Sequence, residues 1–337
     1  MQKIDNNLLK KAINNIVNKQ EFIDFINDCK TQIDKFRNQK KFMKSLSVNG
    51  EKKPITVKLS SNVDFQRYLD YLYTNLESIV TCDISNYSKY QRKFDSFIKS
   101  TSGSNLEIKA FKSKILDILQ YSKLRSSTTL LFDFYKELGI KVCVYCNSQH
   151  VILLDKSKRL RLQADHNLPK AKFPYFSISF FNLYPTCNNC NHLKGVKDIK
   201  YQLYYVGKQQ SDNIEFSISE MEIINLFTTQ IIESKFNIVF NSGKTNLENV
   251  LNISEIYNNH KDYIVDLMHI YKCYDEKYIQ SVKNTFNGLI IGASDDLFNR
   301  MLFGITLKNE DINKRVFSKV LIDINQQLGL LKTTKKI

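Results

Sequence analysis

Two near-copies of one short pattern are the clearest chemical feature of this sequence. Residues 143–147 read CVYCN and residues 187–191 read CNNCN, so each segment has two cysteines separated by two residues. Four thiolates from two such pairs suit Zn²⁺, and a zinc ion with four protein ligands has no open position and is structural. Two unrelated pairs, buried or redox-active, are the alternative. The polar, loop-rich segment between the pairs favours zinc, because burial alone could not hold it together. We predict one structural Zn²⁺ held by Cys143, Cys146, Cys187 and Cys190.

A second set of residues lies between the cysteine pairs and directly after them. Asp165 and His166 belong to the segment ADHNLP, Asn182 follows before the second pair, and Asn191 comes directly after the last cysteine. Carboxylate and amide oxygens are hard ligands that suit Mg²⁺ or Mn²⁺. An adjacent imidazole can take a proton from water near neutral pH. The set therefore predicts a one-metal site for phosphodiester hydrolysis.

The charge of the chain indicates a polyanionic partner. The sequence has 49 Lys and Arg against 34 Asp and Glu, a formal charge of +15, and both nucleic acid and an anionic membrane fit such a balance. Several lysines crowd the segment around the cysteine pairs, where an ordinary solvated face is the alternative to phosphate contacts. Beside a site for phosphodiester hydrolysis we favour nucleic-acid contacts. The residues predicted to make them are Lys170, Lys172, Lys194 and Lys197.

The sequence also predicts a cytoplasmic protein without membrane segments. The N-terminus MQKIDNNLLKKAINN has charges and asparagines where a signal peptide would be apolar. No stretch approaches the roughly eighteen apolar residues of a membrane-spanning helix. Cys29, Cys82 and Cys273 stand alone, which is not the pattern of a secreted disulfide framework. We interpret them as small, buried apolar residues.

The elements around these residues divide the chain into three predicted parts. Residues 1–138 and 201–337 have apolar residues at helical spacing, whereas residues 139–200 contain both cysteine pairs and β-favouring runs. Alternation along residues 159–164 predicts a strand that ends at Asp165 and His166. The segment TCNNCNHLKG predicts a short helix closed by Gly195. The expected fold is therefore mainly α with a central α+β module.

Four segments of the module resemble a known family. CVYC, ADHNLP, FFNLYPTC and CNNCNHLKG match, in order and content, the HNH endonucleases of the ββα-metal fold, in the zinc-stapled form also found in endonuclease VII. The resemblance covers residues 143–195. It implies a ββα-metal nuclease core with a four-cysteine zinc site, inserted in a helical frame, and hydrolysis of DNA.

The resemblance also implies a role for each residue. His166 is expected to be the general base, and Asp165 and Asn191 are expected to hold Mg²⁺ or Mn²⁺. Asn182 is expected to tie the loop to the hairpin and orient the base. Many members have His where Asn191 stands, and here His192 comes one position later. Adjacent helical residues diverge by about 100°, so both cannot face one ion, and we favour Asn191.

A looser similarity concerns the stretch of residues 254–315, which is similar to bacterial HNH proteins of anti-phage systems such as the nuclease subunit of Septu. It implies antiviral defence under the control of an ATPase partner. A non-catalytic zinc protein that binds nucleic acid and a ribonuclease stay open as alternatives. The set of Asp165, His166 and Asn191 favours catalysis, because a pure binder needs neither a base nor a hard-metal site.

Overall fold

The structure of this chain is a computed structural model that describes residues 3–204, 214–274, 276–290, 294–304, 306 and 309–329. The helices, in chain order, are α1 (Asn6–Val17), α2 (Gln20–Arg37), α3 (Val63–Thr81), α4 (Tyr87–Ser100), α5 (Asn105–Ile118), α6 (Tyr121–Ser126), α7 (Leu130–Glu137), α8 (Asn188–Lys194), α9 (Glu220–Thr228), α10 (Leu247–Leu251), α11 (Ile253–Asn258), α12 (Asp262–Cys273), α13 (Glu276–Leu289), α14 (Asp295–Phe303) and α15 (Ser318–Gln327). The strands are β1 (Lys41–Val48), β2 (Glu51–Lys58), β3 (Ile152–Leu154), β4 (Arg159–Arg161), β5 (Gln163–His166), β6 (Leu183–Thr186), β7 (Glu215–Ser217) and β8 (Val239–Asn241). The described strands form antiparallel pairs, β1 with β2, β3 with β4, β5 with β6 and β7 with β8.

The mainly helical character expected from the sequence is present, and α3 shows its physical basis. The apolar residues of α3 recur every three or four positions and are fully buried, so they form one stripe facing the core. Asn62 begins this helix by accepting a hydrogen bond from the backbone N–H of Phe65, at 3.0 Å. The members of the stripe are Phe65, Tyr68, Leu69, Leu72, Leu76 and Ile79.

A β-hairpin interrupts the N-terminal helices, which corrects the expectation of helices and loops alone before residue 139. Strands β1 and β2 pair from Lys41 opposite Lys58 to Val48 opposite Glu51. Asn49 and Gly50 form the turn with φ of 52° and 84°. Positive φ at both positions matches the twist of an antiparallel pair, which is why Asn-Gly favours two-residue hairpins.

In the central module, β5 and β6 form an antiparallel pair that is followed by α8. The predicted strand ending at Asp165 and His166 is β5, and Gly195 ends α8 with φ of 50°. The partner strand β6 was not predicted from the sequence, and it contains Pro185. Proline is tolerated there because a strand of a two-stranded sheet has an edge that needs no N–H donor.

The aromatic loop between β5 and β6 is buried against the N-terminal helices. Tyr175 stacks on Phe94 of α4 with ring centroids 3.9 Å apart, and Phe176 stacks on Tyr87 at 4.1 Å. The Tyr87 hydroxyl also lies 3.2 Å from the hydroxyl of Ser179. The buried apolar residues of the first two predicted parts therefore form one continuous core. The division at residue 138 stays a prediction.

The C-terminal region packs against the first cysteine pair. Asn147, whose backbone has φ of 56°, donates through Nδ2 to the carbonyl of Ile312 at 2.8 Å and accepts through Oδ1 from the N–H of Lys319 at 3.1 Å. The Tyr257 hydroxyl donates to the carbonyl of Cys146 at 2.7 Å. The sequence predicts helices for this region. Strands β7 and β8 show that it also contains a short antiparallel pair.

Among the described residues, no helix has the length and apolar character needed to cross a membrane. Cys29 and Cys82 are buried, and this burial raises the pKa of each thiol to about 12. Cys273 is exposed at the end of α12, so its interpretation as a buried residue is wrong. Within the stretch of residues 254–315, positions 275, 291–293, 305, 307 and 308 lie outside the described residues.

Candidate metal centre and active site

The four cysteines predicted to bind zinc converge. Their Sγ atoms all lie within 4.8 Å of one another, all four side chains are buried, and none forms a disulfide. Sulfur atoms around one tetrahedral Zn²⁺ are about 3.8 Å apart, as follows from a Zn–S bond of about 2.3 Å. The cluster therefore has the donor set and the spacing of a structural zinc site. Its members are Cys143, Cys146, Cys187 and Cys190.

Hydrogen bonds already favour the thiolate form at part of this cluster. The Cys187 sulfur accepts from the backbone N–H of Cys190 at 3.4 Å, and the Cys146 sulfur accepts from the Ser148 hydroxyl at 3.2 Å. Hydrogen bonding by the Cys143 thiol lowers the pKa of Cys146, whereas burial raises the pKa of Cys143 itself. Four buried thiolates repel one another unless a cation compensates them. A Zn²⁺ ion fits because it is a divalent cation that prefers sulfur ligands.

One residue from the segment of each cysteine pair contacts Asp165. Tyr145, which lies between Cys143 and Cys146, donates its hydroxyl to Asp165 Oδ2 at 2.7 Å. Lys194, at the end of the helix that begins after Cys187, places Nζ 3.0 Å from Oδ2 and 3.3 Å from Oδ1 of the same carboxylate. The segments that hold the two halves of the four-cysteine cluster thus also position this carboxylate.

Lys194 is part of the buried site, which corrects its predicted position on a face that contacts nucleic acid. Its side chain is only 1% exposed, and Nζ also donates to the backbone carbonyl of His166 at 2.8 Å. An ammonium group that is excluded from water needs a counter-charge. The carboxylate of Asp165, which is also buried, supplies it. The other three predicted lysines, Lys170, Lys172 and Lys197, are exposed.

His166 ends β5 with its ring in a defined orientation. Nε2 lies 2.9 Å from the carbonyl oxygen of Ser177, and the ring packs against the edge of Tyr121 with centroids 4.6 Å apart. A carbonyl only accepts, so Nε2 carries the proton and Nδ1 keeps its lone pair. Nδ1 has no hydrogen-bond partner among the described residues. Burial lowers the pKa of His166 to about 3, so the imidazole is neutral at physiological pH.

Two buried oxygens close to His166 lack partners in the part of the chain that the structure describes. They are Oδ1 of Asn167, the next residue, and Oγ of Ser177, whose carbonyl accepts from the His166 ring. Buried polar atoms are almost always hydrogen-bonded in folded proteins. Their position suits a site that takes up water or a polar ligand.

Asn182 fastens the loop that follows β5. Its Oδ1 accepts from the N–H of Leu168 at 2.7 Å, and its Nδ2 donates to the carbonyls of Leu168 and Phe176, both at 3.1 Å. The side chain is fully buried, and its hydrogen bonds hold the loop that contains the carbonyl partner of His166.

The geometry around Asn191 leaves the second metal site a prediction. Asn191 is half-buried on α8, one turn before Lys194, while His192 is exposed. The Asn191 side chain makes no hydrogen bond with any described residue. The four-cysteine group is the one cluster of at least three His, Cys, Asp or Glu side chains with metal-binding spacing in the described ranges. A Mg²⁺ or Mn²⁺ ion at Asp165 and Asn191 would therefore need ligands from water or substrate.

Three residues that contact the site were not identified from the sequence. They are Tyr145 on Asp165, Tyr121 on His166 and Ser177, whose carbonyl orients the imidazole. Tyr145 lies inside the first cysteine pair, and that position was the one available signal. The other two come from segments 45 and 11 residues away from His166, and nothing local marks them as its neighbours.

Comparison with known proteins gives a partial match. No family model matches the chain, and no solved structure matches it. Over 64 residues the chain is 34% identical to the Septu protein PtuB of Bacillus thuringiensis, a match that covers 19% of this chain and 23% of that protein. Because most of each chain lies outside the match, the similarity relates this protein to a Septu protein over a limited segment.

Proposed function

We propose that this protein is an HNH-type endonuclease that hydrolyses DNA phosphodiester bonds. The observation that carries the proposal is the geometry of His166, whose Nε2 lies 2.9 Å from the Ser177 carbonyl while Nδ1 has no hydrogen-bond partner among the described residues. This imidazole stands at the end of β5, next to Asp165, on a strand–strand–helix unit that the four cysteines connect. A general base needs a lone pair within hydrogen-bond reach of the water that it deprotonates, and the contact of Nε2 with the Ser177 carbonyl leaves the lone pair of Nδ1 available for this.

The proposed chemistry assigns each residue a separate task. His166 Nδ1 takes a proton from the water that attacks phosphorus, while Ser177 holds the ring in the orientation that this transfer needs. Asn182 keeps the loop with Ser177 in place. A divalent cation held by Asp165 and Asn191, Mg²⁺ or Mn²⁺, would stabilise the negative charge on the phosphate and on the leaving 3′ oxygen. The zinc cluster is structural, because four thiolates leave no open position.

The biological setting that we propose is anti-phage defence with a partner ATPase. The partial identity with a Septu protein supports this setting. A physical argument also supports external control, since phosphate contacts by lysines are independent of nucleotide sequence. Purification of the tagged full-length chain from its host, followed by mass spectrometry of its companions, tests the partner. A chain that purifies alone and cuts one defined site efficiently would contradict this part of the proposal.

One observation favours a second candidate, a zinc protein that binds nucleic acid without cutting it. Lys194 contacts both oxygens of Asp165, so the carboxylate is already neutralised by a protein cation. A divalent cation has to compete with this ammonium group or share the carboxylate with it. The free lone pair on His166 favours the nuclease, because a protein that only binds has no use for it.

The deciding experiment is a cleavage assay with a matched histidine control. Purified full-length protein is incubated with supercoiled plasmid, linear DNA and RNA, each with Mg²⁺, Mn²⁺ or a chelator. His166→Ala should lower the cleavage rate by about 10²–10⁴-fold, the usual contribution of a general base. His150→Ala is the control, because His150 is an exposed histidine of the same module. Equal rates for wild type and His166→Ala would refute the assignment, and cleavage of RNA alone would make the protein a ribonuclease.

A further inference from the structure

A cavity of about 440 Å³ lies beside His166 on the side of the N-terminal helices. Its walls come from the end of α5, from α6 and from the loop after β5, so two predicted parts of the chain build it together. The lining includes an aliphatic, an aromatic and two basic side chains, namely Leu116, Tyr121, Lys123 and Lys170. The volume falls in the range of about 300–1,000 Å³ that is typical of sites for small molecules or single groups.

Tyr121 joins this cavity to the proposed catalytic base. Its ring lines the cavity and also contacts the His166 ring, with centroids 4.6 Å apart at an angle of 61°. The Tyr121 hydroxyl donates to the carbonyl of Ala164 at 2.9 Å, which fixes the ring against β5. A group bound in the cavity is therefore one aromatic ring away from the imidazole.

The charge of the cavity favours an anion. Asp117, its acidic lining residue, is paired with Lys44 at 2.6 Å, and Lys123 is paired with Asp28. Lys170 has no carboxylate partner among the described residues, and its Nζ stands 5.1 Å from the centre of the Tyr121 ring. Among the described lining residues, the cation without a carboxylate partner is thus Lys170, which lies next to the Tyr121 ring. Aromatic rings beside free cations are the combination that binds single-stranded nucleic acid.

We propose that this cavity binds the nucleotide adjacent to the cleaved phosphate, with Lys170 on its phosphate and Tyr121 as the wall for its base or sugar. This inference rests on the proposed nuclease function and adds to it a substrate subsite built by the N-terminal helices. It assigns those helices a part in substrate binding as well as in supporting the module.

The test uses the full-length chain in a His166→Ala background, so that binding is measured without cleavage. A short fluorescein-labelled single-stranded oligodeoxynucleotide is titrated at several salt concentrations, and the binding constant is followed by anisotropy. Lys170→Ala should weaken binding several-fold and reduce the slope of log K against log salt by about 0.7, which corresponds to one lost phosphate contact on a single strand. Ser122→Leu, which places a bulky side chain that cannot stack on a base at an exposed position of the lining, should weaken binding at least about 5-fold, the lower limit for loss of base stacking.

A second cavity of the same volume provides matched controls. It is also about 440 Å³ and is lined by residues that include Asn15, Lys19, Asp133 and Lys136. Its lysines are already paired, Lys19 with Asp133 and Lys136 with Asp155. Lys136→Ala and Asn15→Leu repeat the two changes there and should leave both the affinity and the salt slope unchanged.

The outcomes separate this inference from the function on which it rests. If the parent chain binds DNA and both Lys170→Ala and Ser122→Leu bind it equally well, the subsite is refuted while nucleic-acid binding stands. If the parent binds no nucleic acid, the proposed function and the subsite both fail. The same losses measured with an RNA strand would support the subsite and assign it to a ribonucleotide.

Discussion

Replacing Lys194 by Met should destabilise the protein far more than replacing a lysine in a surface ion pair. The Lys194 ammonium lies 3.0 Å from Asp165 Oδ2, and the two side chains are 1% and 6% exposed. With an effective dielectric constant of about 20, two unit charges at this distance attract by about 5–6 kcal/mol before desolvation is counted. Removing one partner of such a buried pair leaves an uncompensated charge, which costs about 3–5 kcal/mol.

The expected loss for Lys194→Met is therefore about 3–5 kcal/mol in the free energy of unfolding. Methionine keeps the approximate length of the side chain, so the lost charge and hydrogen bonds dominate over a lost volume. The bond from Lys194 to the His166 carbonyl disappears as well, whereas the Tyr145 hydroxyl still donates to Asp165. This remaining donor places the expected loss at the lower end of the range.

Urea unfolding of the zinc-loaded chain, followed by circular dichroism, measures this loss. The control is Lys136→Met, because Lys136 pairs with Asp155 at 2.5 Å while both side chains are more than half exposed. This surface pair should contribute about 0–1 kcal/mol. A double-mutant cycle with Asp165→Asn should give a coupling of about 1–3 kcal/mol between Asp165 and Lys194. Equal losses for Lys194→Met and Lys136→Met, with no coupling to Asp165, would refute the argument that this ion pair is buried.

Three further predictions concern zinc, pH and the proposed catalytic cation. The native chain should contain one zinc per molecule by elemental analysis. Cys187→Ser should lower both the zinc content and the midpoint of urea unfolding, since the metal supplies folding energy. Full stability of the chain without zinc would contradict the assignment of a structural zinc. The depressed pKa of His166, about 3 in the folded chain against about 6.5 when unfolded, means that its contribution to stability is complete above pH 6.5. That contribution is lost as pH falls towards 3, by about 1.4 kcal/mol per pH unit. Between pH 6.5 and 5, the free energy of unfolding should therefore depend less on pH for His166→Asn than for wild type. Asn191→Ala should raise the Mg²⁺ or Mn²⁺ concentration needed for half-maximal cleavage, whereas His192→Ala should not, and the reverse order would assign the ligand to His192.

The elements with strong local signals could be predicted from the sequence. The apolar stripe of α3, the strand that ends at Asp165 and His166 and the helix that ends at Gly195 all follow from periodicity and turn chemistry within a few residues. The pairing of two Cys-x-x-Cys segments predicted one cluster across forty intervening residues, because thiol chemistry gives zinc sites a recognisable spacing. The β1–β2 hairpin was also predictable in principle, since Asn49-Gly50 is a strong turn signal.

Other features depended on contacts that no local pattern specifies. Strand β6 contains Pro185 and reads as a loop, and it becomes a strand because β5 provides a partner on one side. Lys194 reads as one more surface lysine, yet the fold brings it to a carboxylate 29 residues earlier in the chain and excludes water from both. The placement of the Ser177 carbonyl likewise decides that Nε2 of His166 is the nitrogen in contact and that Nδ1 has no partner within the described ranges. The sequence by itself determined which chemical groups are available and where helices and turns begin. The tertiary structure decided which groups meet and how far water reaches them, because burial and ion pairing act through space between segments that are distant in the chain.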